Sequence, residues 1–187
     1  GEGAKILFPH LKKFAKENNF DFIRCSPFWP LKEGMEDVLK QSGFRHAPMH
    51  ILAENTWMLD LSKSEDELLA QMEKTHRYLI RRCEKEGVRI EKSTDKNALE
   101  RFNNIHDETA KRHNFHRFSN DYIEKEFKTF APHNEAMVIS GYLPNGLIDS
   151  SSIIVFFGNM AAYRHGASLN LDNKLSTSYL VQWEAIK

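Results

Sequence analysis

The sequence predicts a mixed α/β fold, on three observations. Segments 65–86 and 96–113 repeat apolar residues at spacings of three and four, the first of them between recognisable helix start and stop signals. Segments 136–142, 147–157 and 160–168 are extended in character and are separated by Pro144-Asn145-Gly146 and Gly158-Asn159, so they read as a three-stranded meander. A last helical pattern begins near Ser176 and carries Leu180, Val181, Trp183 and Ile186.

In chain order, the first helix is expected over 9–17. Pro9 opens it, because a first-turn N–H has no partner to lose, and Leu11, Phe14 and Ala15 share a face before Asn18-Asn19. Residues 20–25 read as a short strand, and Ser26-Pro27-Phe28-Trp29-Pro30 as a loop, since two prolines oppose helix and central strand alike. Met35, Val38, Leu39 and Ser42 mark a short helix closed by Gly43. Trp57, Leu59 and Leu61 alternate with Met58 and Asp60, the pattern of a one-sided strand.

The helix expected over 65–86 has Ser64 and Glu67 as a capping box and Gly87 beyond its last turn. Leu68, Met72, Thr75, Leu79 and Cys83 form its inward row, and Lys74, Arg77, Arg81 and Lys85 a basic stripe on another face. A short strand follows at 88–90. The helix over 96–113 turns Leu99, Phe102, Ile105, His106 and Thr109 inward. Another helix, started by Ser119, does the same with Ile123, Phe127 and Phe130. A domain seam is expected near 86–95. Both ends of the chain are abrupt, so an internal stretch of a longer protein is expected.

The 187 residues, 41% of them apolar, suffice for one good core or two small ones. Lys plus Arg (26) equals Asp plus Glu (26), so any polyanion site is a local patch. Cys25 and Cys83 have no metal or disulfide spacing, and no apolar run nears the ~20 residues of a membrane span. A reducing, cytoplasmic setting is expected. His106, His113 and His116 lack a His-Glu-x-x-His arrangement and are read as structural, with no metal.

Several segments together resemble the Fem family of peptidoglycan cross-bridge aminoacyltransferases. They are Thr56-Trp57-Met58-Leu59-Asp60-Leu61-Ser62, Ser64-Glu65-Asp66-Glu67-Leu68-Leu69, Arg77-Tyr78-Leu79-Ile80-Arg81-Arg82, Lys85-Glu86-Gly87-Val88, Glu108-Thr109-Ala110-Lys111-Arg112-His113, His116-Arg117, Tyr163-Arg164-His165-Gly166-Ala167-Ser168 and Leu180-Val181-Gln182-Trp183. The signal is their order and spacing. The resemblance implies tandem acetyltransferase-like (GNAT) α/β domains, both incomplete in this chain: 1–90 the latter part of the first, 91–187 most of the second. The helical arm that some members carry is absent, because Gly87 closes the basic helix after about six turns. Members without it act on a soluble nucleotide-linked muropeptide. Ser26 stands where such members have an aspartate before the loop proline. One family lysine lies before Gly1 and another, implicated in catalysis, beyond Lys187, so no catalytic residue is assigned and the chain is not expected to be fully active alone.

The implied partners are aminoacyl-tRNA and a peptidoglycan precursor, UDP-MurNAc-pentapeptide or lipid II, with room for peripheral contact at the cytoplasmic membrane face and no resident cofactor. Arg117 matches a family arginine that grips the acceptor diphosphate, a task suited to a planar guanidinium; otherwise it is a loop arginine. Tyr122 lies one place beyond a family tyrosine that contacts the same ligand. Tyr163 and His165 are placed on one side of a strand by period-two alternation, His165 replacing a usual tyrosine; the alternative is a satisfied sheet pair. Lys74, Arg77, Arg81 and Lys85 lie in a window, 74–92, of seven Lys or Arg against three Glu, a formal +4, which suits tRNA phosphates or a solvated helix face. Two rival readings stand: an acetyl-coenzyme A acetyltransferase, opposed by the glycine-free link 169–175 where a pyrophosphate loop needs glycine, and a non-catalytic RNA- or protein-binding module.

Overall fold

The computed structural model describes residues 2–26, 34–49 and 56–187. They group into two compact units, 1–59 and 60–187, so the break in contacts falls upstream of 86–95.

The first unit contains α1 (Glu2–Glu17) and α2 (Met35–Gln41). Helix α1 starts well before Pro9, which sits inside it on the solvent side. Ala4, Phe8 and Ala15 form its buried row, and that row continues the helix through a residue whose ring removes only one backbone bond. Asn19, at φ 55°, ends the helix, and Gly43, at φ 76°, follows α2. Phe8 packs on Phe44 with centroids 4.8 Å apart. Residues 20–25 are not a strand: they pair with no strand among the described residues, and Phe22 is exposed. Positions 27–30 of the expected loop lie outside the described residues.

The second unit holds α3 (Glu65–Gln71), α4 (Lys74–Lys85), β1 (Arg89–Ser93), α5 (Lys96–His113), α6 (Asn120–Phe130), a 3-10 turn (Ala131–His133), β2 (Ala136–Tyr142), β3 (Ile148–Phe157), β4 (Met160–Ser168) and α7 (Thr177–Ile186). The stretch around Trp57 and Leu61 is likewise irregular and exposed, because alternation without a neighbouring strand leaves backbone groups unpaired.

The expected helix over 65–86 is two helices. Ser64 and Glu67 form the capping box, but Met72 is extended at φ −70°, ψ 153° and breaks the run. Arg77 stabilises the break by donating to the carbonyls of Leu69 (3.4 Å), Ala70 (3.0 Å) and Met72 at the end of α3, where the Leu69 carbonyl also accepts the Met72 N–H. The break rotates the inward row, so Thr75 is exposed and Ile80 joins Leu68 and Cys83 inside.

The sheet runs β1-β2-β3-β4 with every neighbour antiparallel, β1 extending the expected meander to four strands. One face packs Ala136, Val138, Ile153 and Ala167 against Leu99, Phe102 and Ile105 of α5 and Ile123 and Phe127 of α6. The other packs Ile139 and Ile154 against Val181 of α7. The approach of α7 depends on Gly141, where a Cβ would stand 2.9 Å from Val181 Cγ2. No described helix is long and apolar enough to cross a membrane.

Phe102, fully buried between α5 and the sheet, sets the expected cost of opening this core. Truncation in Phe102→Ala is expected to destabilise by about 3–5 kcal/mol, read as a lower denaturant midpoint at unchanged slope in urea unfolding.

Candidate functional site

Two charged centres meet where α5, α6 and β4 converge. Helix α5 carries Asn103, His106 and Asp107 at spacings of three and one, on adjoining turns of one side. Asn114, in the left-handed region at φ 52°, ends α5 and turns the chain back toward it. Ser119 then caps α6 by accepting from the Tyr122 N–H at 3.2 Å.

In that link Arg117 folds against α5, its side chain only 10% exposed. Its Nε donates to His106 Nδ1 at 3.2 Å, Nη1 to Asp107, and Nη2 to Asn103 Oδ1 at 2.8 Å and Asn120 Oδ1 at 2.6 Å. A guanidinium only donates, so His106 Nδ1 must be the unprotonated nitrogen of a neutral ring. Burial first, then the Arg117 charge and His165, push the His106 pKa down to about 4.

The second centre is Glu126 on α6. It accepts from Arg164 Nε and from His165 Nε2, each at 2.7 Å. Burial alone would raise its carboxyl pKa, but the hydrogen bonds from His165 and Arg164 and their charges outweigh it and the net shift is downward. Burial lowers the His165 pKa despite Glu126. Arg164 also donates to Tyr122 Oη at 3.2 Å and lies over the Phe118 ring. Phe118 stacks on Tyr122 at 4.6 Å, and the His106 and His165 rings stand 6.1 Å apart, joining the centres.

Strand β4 corrects one expectation. Ile153 opposes His165 and Ile154 opposes Tyr163, so Arg164 is an extra, bulged residue. Opposed residues share a face. His165 therefore sits with Ile153 on the α5/α6 side and Tyr163 with Ile154 on the α7 side. The Tyr163 ring lies over Gly166, where a Cβ would come within 2.1 Å of Oη. The two are not on one side because the bulge breaks the alternation between them.

Arg117, Tyr122 and His165 are thus brought together, while Tyr163 is separated from them. On α4, Lys74, Arg81 and Lys85 are exposed and Arg77 is committed to the end of α3. The sequence reading missed Glu126, Arg164, Asp107, Asn103 and Asn120. Glu126 was within reach of it, since a carboxylate four places after Tyr122 shares that helix face. Among the described residues no group of three or more His, Cys, Asp or Glu side chains is placed to hold a metal ion.

A second carboxylate bears on ligand chemistry. Buried Asp149 accepts from the Leu171 N–H at 2.7 Å and from the Thr177 hydroxyl at the start of α7. One backbone donor of the β4–α7 turn and the hydroxyl of the first residue of α7 are thereby occupied.

The model of the FemAB family matches residues 2–145. Among solved structures, one described as the crystal structure of FemX aligns with a TM-score of 0.81 at 18% sequence identity, over 99% of this chain and 64% of that chain. This chain therefore spans 64% of the FemX chain, and the likeness is one of fold. No curated protein matches.

The buried neutral His106 makes stability depend on pH. Its folded pKa, about 4, lies below the ordinary 6.5, so between these values the unfolded chain binds more protons. Stability is expected to be fully present above pH 6.5 and to fall toward pH 4 by on the order of 2 kcal/mol, with His165 adding in the same direction. Urea unfolding across that range checks it, and His106→Gln is expected to flatten the dependence.

Proposed function

The chain belongs to the FemAB family, and on that premise we propose that it is part of a cytoplasmic enzyme that transfers an amino acid from aminoacyl-tRNA to the stem peptide of a peptidoglycan precursor. The observation that carries the reading is the family match over 2–145, which includes α5, the Arg117 link and α6. In the reaction, a neutral amine on the stem peptide attacks the ester carbonyl of the charged tRNA. A C–N bond forms, the C–O bond to the terminal ribose breaks, and the proton that the amine loses ends on the departing ribose oxygen, which leaves as a hydroxyl. The ester is already activated, so the protein's task is alignment and charge stabilisation.

Arg117 is assigned to the acceptor diphosphate. Asp107 now holds the oxygen position that a phosphate would take on Nη1, and its side chain is 43% exposed, free to swing aside. Tyr122 and His165 stand beside Arg117 on the same side of the sheet, and Tyr163 would act from the opposite one. Lys74, Arg81 and Lys85 are assigned to tRNA phosphates, with Arg77 supporting them through α3.

The proposed architecture is of tandem acetyltransferase-like domains, 1–90 and 91–187. The order β1, α5, α6, β2, β3, β4, α7 supports it for the second. Use of acetyl-coenzyme A is disfavoured by Asp149, since a pyrophosphate at the start of α7 would have to displace a buried carboxylate from the Leu171 N–H and the Thr177 hydroxyl.

Calorimetric titration with UDP-MurNAc-pentapeptide is expected to show binding that Arg117→Ala weakens by about tenfold or more. Arg117→Lys, which keeps the charge but loses the fork, is expected to fall between, and circular dichroism verifies that both variants are folded. Unchanged affinity in both would remove Arg117 from the acceptor site. Acetyl-coenzyme A is expected to leave the melting temperature unchanged, and turnover is expected only with charged tRNA.

A further inference from the structure

Between α5 and α6, on the far side of Asn103 and Asn120 from Arg117, lies a cleft of about 230 Å³. Its polar groups are oriented by the guanidinium. Because Arg117 only donates, both amides must turn Oδ1 toward it. Each Nδ2 is therefore directed away from Arg117, and neither has a hydrogen-bond partner among the described residues. Asn103 is 92% buried by residue, its relative exposure being 8%. Its Nδ2 is not sealed off, since the fully buried unpartnered polar atoms among the described residues are Arg101 Nε, Ser150 Oγ and Ser152 Oγ. The amide reaches solvent through the cleft that it lines.

The rest of the lining narrows the ligand. Asn104 adds a third amide and Leu99 an apolar wall. Glu100 and Glu124 supply acceptors, paired with Lys96 at 3.4 Å and Lys128 at 2.6 Å. These four charges cancel, so the cleft offers no net attraction to phosphate or a free carboxylate, and either would face two carboxylates. No aromatic ring lines it to stack on the flat face of a sugar. Donors and acceptors alternating beside an aliphatic wall match the peptide unit, which carries one of each. An amide donor left unpaired in a nine-tenths buried setting is the type of group whose satisfaction gives specificity.

We propose that this cleft binds a stretch of peptide backbone, its carbonyl oxygens taken by the Asn103 and Asn120 amide N–H groups and its own N–H groups by Glu100 and Glu124. Its identification with the stem peptide of the acceptor rests on the function proposed above. The recognition of peptide backbone does not.

The test is titration of the intact, nitrogen-15-labelled protein with the capped tripeptide acetyl-Ala-Ala-Ala-amide, in parallel with inorganic phosphate and N-acetylglucosamine, followed through the side-chain amide resonances of Asn103 and Asn120. Saturable shifts with the tripeptide alone are expected. Asn103→Asp keeps an oxygen on Arg117 but replaces the free donor by an acceptor, and is expected to weaken binding by about tenfold or more. Asn120→Asp makes the same exchange at an exposed position and covers the case in which the buried variant fails to fold. Absence of saturable shifts, equal response to phosphate or the sugar, or wild-type affinity in the folded Asp variants would overturn the proposal. Arg117-dependent binding of the nucleotide-linked precursor without tripeptide binding would overturn the cleft and leave the transferase reading standing; tripeptide binding by a protein indifferent to that precursor would do the reverse.

Discussion

A buried cation that can only donate governs the helical side of this protein. Taking the Arg117 charge out of water costs several kcal/mol unless acceptors surround it, and His106, Asp107, Asn103 and Asn120 provide them. Each acceptor is constrained in return. His106 is held neutral, the asparagines are fixed in one amide orientation, and the link between α5 and α6 is drawn onto α5. Of these partners Asp107 alone brings a full negative charge, and it and Asn120 stand at the exposed side of the cluster while His106 and Asn103 are buried.

Legibility in the sequence followed the range of the physics involved. Helix α5 was read with its observed bounds from its apolar rows, a local signal, and the Asp95 cap and left-handed Asn114 that fix its ends are local as well. The three meander strands were read for the same reason. Strand-like alternation at 20–25 and 57–61 misled, since alternation describes a side-chain pattern and a strand also needs a partner. The break at Met72 was invisible because Arg77, the residue that makes it tolerable, looks like one member of a basic stripe. The candidate site was half legible: Arg117, Tyr122 and His165 were named through resemblance, but Glu126, which ties Arg164 and His165 together across 38 and 39 residues of sequence, depends on packing that no local pattern encodes.

Asp149 places a buried carboxylate beside a helix start. A helix start with free N–H groups after a strand is a general anion receptor. Here a buried carboxylate of β3 stands beside the start of α7 and accepts from the Leu171 N–H and the Thr177 hydroxyl. The same bonds hold the β4–α7 connection and keep α7 against the sheet.

The bulge at Arg164 gives β4 two phases along one strand. Beyond it, His165 and Ala167 face α5 and α6; before it, Tyr163 faces the other way. Were Arg164 paired in regular register instead of bulged, Tyr163 would join His165 on the helical face while every side chain in the strand stayed chemically the same. A relative with regular pairing at this point would carry similar letters in an alignment yet present a second ring to the helical face, so matched positions are matched environments only where the strand phase is shared.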